Sequence, residues 1–404
     1  LFSICEGVLY KGQTALGSTG VGGFPRIAAA NQQLGVVSGS GLYCYTTKLG
    51  LQQIIEFTND EGRLPSFSGL AVLYDIWILP VTGSNQFFFS NTGDLTTIDA
   101  ANFGAAQTND SPIVEVAVLA EEIYFFCTDK VEIWDFTGNL TAPFALSQGR
   151  TYARGCAAQG SVVKQDNSLF WIGDDFTVYR SGSAPQDVGI PIVVDRIRAC
   201  GTSVSYITGF AFNIEGHAFY GINLPSVGET YVYDCQTKEW AQWGTLDGDS
   251  PDPSVWQAQT VAGQGGALYA GSYNSGEVYE IEATSTTDGN LAIPAIFSAQ
   301  LWAVGGVRRC TTVALQCVRG IGTPAVTPDP IVRMRYSDDG GNSWTVWRQA
   351  SLGASGQSGY VARWNQLGLM RSPGRMFEFA VSDPVNFVAQ GASYNEARVG
   401  GYAA

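Results

Sequence analysis

The sequence predicts an all-β protein: a six-bladed β-propeller over residues 31–283, then a C-terminal β-sandwich or barrel-like domain over 284–404. Three observations carry this. Hydrophobic residues make up 45% of the 404, which is ample for a core, and aromatics 12%. Glycine fills 49 positions, and glycine supplies the positive φ that tight turns need. An apolar residue followed by an aromatic recurs at Leu73-Tyr74, Ile123-Tyr124, Leu169-Phe170, Phe219-Tyr220 and Leu268-Tyr269, with 46 to 50 residues between successive pairs. A period of that size marks a repeat architecture.

Each repeat reads as a hairpin. Second pairs follow at Phe88-Phe89, Ile133-Trp134, Val178-Tyr179, Val232-Tyr233 and Val278-Tyr279, with turn residues such as Thr128-Asp129-Lys130 and Tyr273-Asn274-Ser275-Gly276 before them. Alternation along 277–282 and 130–134 has the period of two that strands require. A further apolar run precedes most hairpins, 113–119 being one. Three or four strands per repeat is the size of a propeller blade, and six units fit, with Leu42-Tyr43 in the first. Residues 1–30 fit no unit well, and are expected either to close the ring or to join the terminal domain. Residues 191–198 suit one or two helical turns between the fourth and fifth units. After a Ser/Thr/Asp/Gly linker over 284–289 the repeat is lost, and strands are expected over 295–302, 311–318, 331–336 and 376–381.

Charge divides the chain. Residues 1–283 hold 12 Lys and Arg against 29 Asp and Glu, a net −17, whereas 284–404 hold 10 Arg, no Lys and 7 acids, a net +3. An acidic body argues against wrapping of nucleic acid, which needs neutralised phosphates. The tail arginines include Arg308, Arg309, Arg333, Arg335, Arg348, Arg363, Arg371 and Arg375. They are candidates for a docking surface toward an acidic partner or DNA phosphate. The competing expectation is a set of internal pairs with Asp329, Asp338 or Glu378.

The search for a catalyst is negative. GxSxG, GxGxxG, the phosphate loop, HExxH and the EF-hand loop do not occur. The single histidine, His217, is expected to be structural. Eight cysteines contain no CxxC and sit mostly in apolar runs, which suits buried free thiols and assembly in a reducing cytoplasm. No cofactor, metal site or catalytic residue is expected, and no run is long enough to span a membrane. Ser337-Asp338-Asp339-Gly340-Gly341-Asn342-Ser343-Trp344 fits S-x-D-x-G-x-[ST]-W, which resembles the Asp-box of sialidases and other propellers. Ser337, Asp339, Gly341 and Trp344 are therefore expected to build a hairpin turn and not an active site.

Several ordered segments are familiar together: Glu215 to Tyr220, Leu224-Pro225, Thr230 to Asp234 and Trp240; Leu169 to Asp175; and Pro143 to Cys156. In the tail, Tyr336 to Trp344 is followed by Arg363 to Gly368, Arg375 to Phe379 and Ser382 to Val385. The series, over roughly 110–390, resembles the packaged-DNA stabilisation proteins of short-tailed bacteriophages, their tail hub or nozzle subunits. The resemblance implies a non-enzymatic virion protein of the tail, assembled in the host cytoplasm as a homohexameric ring. It implies the terminal domain as ring platform, with a head-to-tail adaptor, tail spikes or fibres, and a tail needle or plug as partners. Packaged double-stranded DNA would lie in the channel, bound without sequence preference. The competing class is a carbohydrate-active or carbohydrate-binding propeller, a sialidase-like hydrolase or an adhesin. Arginines and carboxylates converging at the propeller centre would mark the hydrolase.

Overall fold

A computed structural model describes residues 1–39, 41–58, 61–106, 110–139, 141–245, 254–289, 291–302, 306–323 and 327–395. The described residues form two compact units, the first reaching Ala283 and the second beginning at Thr284.

Seven antiparallel sheets follow one another through the first unit, over 2–18, 26–54, 71–105, 113–152, 163–187, 208–243 and 258–281. The first and last have three strands and the others four, and each strand pairs only with its neighbours in the chain. A sheet made this way leaves two faces open, so each sheet is covered by the next. Leu9 of the first packs with Leu34 and Val36 of the second. Val37 and Leu42 meet Trp77 and Leu95 of the third. A side chain at Gly35 would come within 2.5 Å of the Trp77 ring, so this close sheet approach needs glycine. Phe87 stacks on Phe125 of the fourth sheet at 4.4 Å. Phe126 meets Trp171 of the fifth at 5.4 Å, and Phe170 stacks on Tyr220 of the sixth at 4.8 Å. Phe210 and Phe212 pack with Val261 and Leu268 of the seventh. The turn of the seventh returns to the first, since a Cβ on Gly276 would lie 3.3 Å from Cys5 Sγ.

The count of six sheets is corrected to seven. Six lie within 26–281, and residues 2–18, read from sequence only as an N-terminal segment, build another. Their strands are four or five residues long, and their apolar-aromatic pair, Leu9-Tyr10, stands 33 residues before Leu42-Tyr43 and so falls outside the 46-to-50-residue spacing that flagged the other repeats. The helix expected after the fifth sheet is present as Pro191–Ala199, started by a proline, with Val193 and Ile197 buried against that sheet and the next.

The second unit is a β-sandwich. One sheet orders Ala295–Trp302, Gly374–Val381, Ile331–Ser337 and Arg348–Ser351; the other orders Ala362–Asn365, Thr312–Cys317 and Ala389–Tyr394. Val332, Met334, Phe377 and Phe379 from the first face Val313, Leu315 and Trp364 from the second. All eight cysteines are free, seven of them buried. Burial pushes the Cys127 and Cys156 thiols up to about 12, so they pack as small hydrophobes. Among the described residues no helix is long and apolar enough to cross a membrane.

Candidate functional site

Side chains from the starts of successive sheets converge in the first unit. Glu115 opens the fourth sheet, inside the apolar run Ile113–Leu119, and is 2% exposed. A buried carboxylate needs a partner. Arg26, in the first strand of the second sheet, supplies it with Nε 2.5 Å from Oε2. The Val116 amide donates to Oε1 at 3.0 Å. Burial pushes the Glu115 carboxyl up from its ordinary value, and the Arg26 charge opposes that rise.

Arg26 also donates to the Gln159 carbonyl at 3.1 Å, and the Gln159 amide donates to the Ser68 carbonyl. Glycine backbone packs closely beside them. A Cβ on Gly69 would lie 2.6 Å from Glu115 Oε1, and one on Gly160 would lie 2.4 Å from the Ile207 carbonyl and 3.2 Å from the Phe24 ring. Arg26 and Glu115 thus form an ion pair with backbone packed beside it. The sequence reading missed this pair. Its signal was present in the one acid of an otherwise apolar strand.

The eight candidate arginines of the tail are not gathered in one place. Arg375 is buried; its guanidinium holds both oxygens of Asp338, at 2.7 and 2.8 Å, and donates to the Leu367 and Leu369 carbonyls. It also lies 3.8 Å from the Tyr336 ring centroid. Arg375 therefore serves the sandwich core and offers no docking contact. Arg335 pairs with Glu378, directly across the sheet, at 2.5 Å, and lies between the Trp344 and Trp347 rings at 4.8 and 4.5 Å. The expected internal pairs with Asp338 and Glu378 are both present.

Arg333 is exposed on the same outward face as Arg335. Arg348 donates to the Asn365 carbonyl at 2.7 Å. Arg308 and Arg309 form one strand of a two-stranded ribbon with Leu369–Met370, and exposed Arg371 directly follows it. Arg363 lies half-buried on the outward face of the other sheet, across from Ala314. The structure thus brings Arg308, Arg309 and Arg371 together on one ribbon, with Arg333 and Arg335 on a separate face.

The Asp-box segment is the turn its residues dictate. Ser337 Oγ bonds Asp339 Oδ1 at 2.7 Å and accepts from the Gly341 amide at 2.8 Å. Asp339 accepts from the Ser343 amide at 2.8 Å and from its hydroxyl at 2.5 Å. Gly341 has φ 98°, a conformation open to glycine. Donation by Ser343 and Ser337 holds the Asp339 carboxyl down at about 2. His217 is hydrogen-bonded to Asp234 Oδ2 at 2.7 Å and stacks on Phe219, a structural setting. Among the described residues no group of three or more His, Cys, Asp or Glu is placed to hold a metal.

Comparison with known proteins gives one family. The Phage_stabilise family model, described as bacteriophage P22 Gp10, β-propeller, matches residues 1–286. The match takes in the N-terminal third, where the familiar segments were sparse, and ends before the sandwich strands, so the tail segments lie outside it. No curated protein matches the chain. Among solved structures, the extracellular domain of the hybrid two-component system BT4673 from B. thetaiotaomicron has a TM-score of 0.39 at 13% identity, covering 64% of this chain and 31% of that one. This chain thus spans about a third of that structure. The designed Ika8 protein gives 0.38 at 12% identity, over 84% of this chain and 95% of that one. Dihydro-heme d1 dehydrogenase NirN gives 0.45 at 13% identity, over 70% and 60%.

Proposed function

From the premise that this chain belongs to the Phage_stabilise family of β-propellers, the family of bacteriophage P22 Gp10, we propose that it is a tail-hub or nozzle subunit of a short-tailed phage. In this reading copies of the chain, six to a ring, continue the channel below the head-to-tail adaptor. They retain the packaged genome and carry spikes or fibres and a needle or plug. The chain is a structural part and catalyses nothing.

What supports the reading, beside the family, is the division of charge along the chain. The charge division fits a channel component. A body of net −17 repels duplex phosphates, so DNA passing near it is not trapped, although at physiological salt this acts only within about 8 Å. The sandwich of net +3, with Arg308, Arg309 and Arg371 on one ribbon, suits an acidic neighbour in the tail.

Cryo-electron microscopy of the assembled tail tests this. The reading expects copies of the chain in a symmetric ring around the DNA path, with sandwiches at the subunit contacts. A chain found outside the tail, or peripheral and single, contradicts it.

A further inference from the structure

Among the described residues, one strand of the sandwich has an edge that no other strand pairs with. Ala295–Trp302 pairs with Gly374–Val381 along all eight residues without a bulge, and among the described residues no strand lies on its other side. The opposite edge of the same sheet is covered, since the Trp364 indole donates to the Arg348 carbonyl at 3.0 Å. Natural edge strands are blunted by charges, proline, bulges or shortness, because bare backbone donors and acceptors recruit another strand. Residues 295–302 have none of these: the strand is AIFSAQLW, without charge or proline. Its outward side chains are Ile296, Ser298, Gln300 and Trp302, with Ile296 56% and Trp302 63% exposed. The inward ones are Phe297, Ala299 and Leu301, in the sandwich core.

We propose that in the free chain this edge pairs antiparallel with the same edge of a second copy, about a two-fold axis at Ala299. The strand is self-complementary in that register. Ile296 then opposes the partner copy's Trp302, Phe297 opposes Leu301, and Ser298 opposes Gln300. Two large apolar side chains thus meet on the outer face, two more join the core, and the polar pair bonds across the junction. Shifting the register by one residue sets the core-facing side chains against outward ones and loses every match. The occupant is another copy because the matching sequence is the strand's own. A two-fold contact closes on itself and does not propagate. It therefore describes the free chain, and it stands independently of the hub reading.

Light scattering of the purified full-length chain tests it, with Ser298→Lys and Gln300→Lys placing a charge on the edge and Gln349→Lys placing one elsewhere on the same face. The expected mass is twice 43.1 kDa for the parent chain and for Gln349→Lys. It halves for the two edge variants, with circular dichroism unchanged. A monomeric parent chain, an assembly larger than two copies, or edge variants that remain dimeric would overturn the pairing.

Discussion

Arg375 grips Asp338 with two guanidinium nitrogens, at 2.7 and 2.8 Å, while its own side chain is 2% exposed. The contact ties the strand Gly374–Val381 to the Asp-box turn, and the same guanidinium caps two carbonyls of the 367–369 segment. An arginine is usually read from sequence as a surface charge, and here it is a core residue.

Arg375→Ala is expected to destabilise the sandwich by about 3 kcal/mol, because it leaves the buried Leu367 carbonyl and the part-buried Leu369 carbonyl without this donor and Asp338 without its paired charge. Arg375→Lys recovers little, since an ammonium cannot bridge both oxygens and both carbonyls. Arg333→Ala, at an exposed position, changes stability by less than about 0.5 kcal/mol. Urea denaturation of the three variants checks this. Equal midpoints would remove Arg375 from the core.

Arg26→Ala is expected to cost about 3 kcal/mol, because it strands the buried Glu115 carboxylate. The pH dependence has a definite sign. Burial raises the Glu115 carboxyl, so the folded chain holds that proton more tightly than the unfolded one. Stability from this group is therefore lost as pH rises from the ordinary carboxylate range through the folded value. Removing the opposing Arg26 charge raises the folded value further and deepens the loss. Thermal midpoints of parent and variant across that range test the sign; a gap that narrows with rising pH would refute it.

Asp339 makes the opposite prediction. Its carboxyl is held down from the usual 3.8 to about 2 by donors from Ser343 and Ser337. What it adds to stability is present above the ordinary value and is lost as pH falls through about 2. Carbon-detected NMR should find Asp339 titrating near 2 in the parent chain and near the ordinary value in a Ser337→Ala/Ser343→Ala variant. A parent value near 3.8 would show that the turn bonds are not formed.

Gly35→Ala should lower stability by about 1–3 kcal/mol, because its Cβ would lie 2.5 Å from Trp77, and the second and third sheets must separate to admit it. Paired with Trp77→Phe, which frees that space, the loss should be smaller than the sum of the two. Strict additivity in a double-mutant cycle would show that the sheets do not meet there.

The repeat was legible where a blade has an amphipathic hairpin. Ile123, Leu169, Phe219 and Leu268 all fall in the second strand of their sheets, with their later partners in the third. Two markers misled. Leu42-Tyr43 lies in the third strand of its sheet, and Tyr74 lies in a turn at φ 52°. The true second strand there, Ile76–Pro80, is buried at every position, so no alternation marks it. The first sheet was missed because its strands are short and its Leu9-Tyr10 pair lies outside the period of the other repeats. Glu115 was visible as an acid in an apolar strand, but its partner lies 89 residues away, and only the stacking of sheets brings Arg26 to it.

The most direct test of the structural role is nuclease protection of packaged DNA in phage particles assembled without this chain. The account predicts that such particles leak their genome and become nuclease-sensitive, and that adding the purified chain restores protection. Particles that keep their DNA fully protected without it would contradict the account.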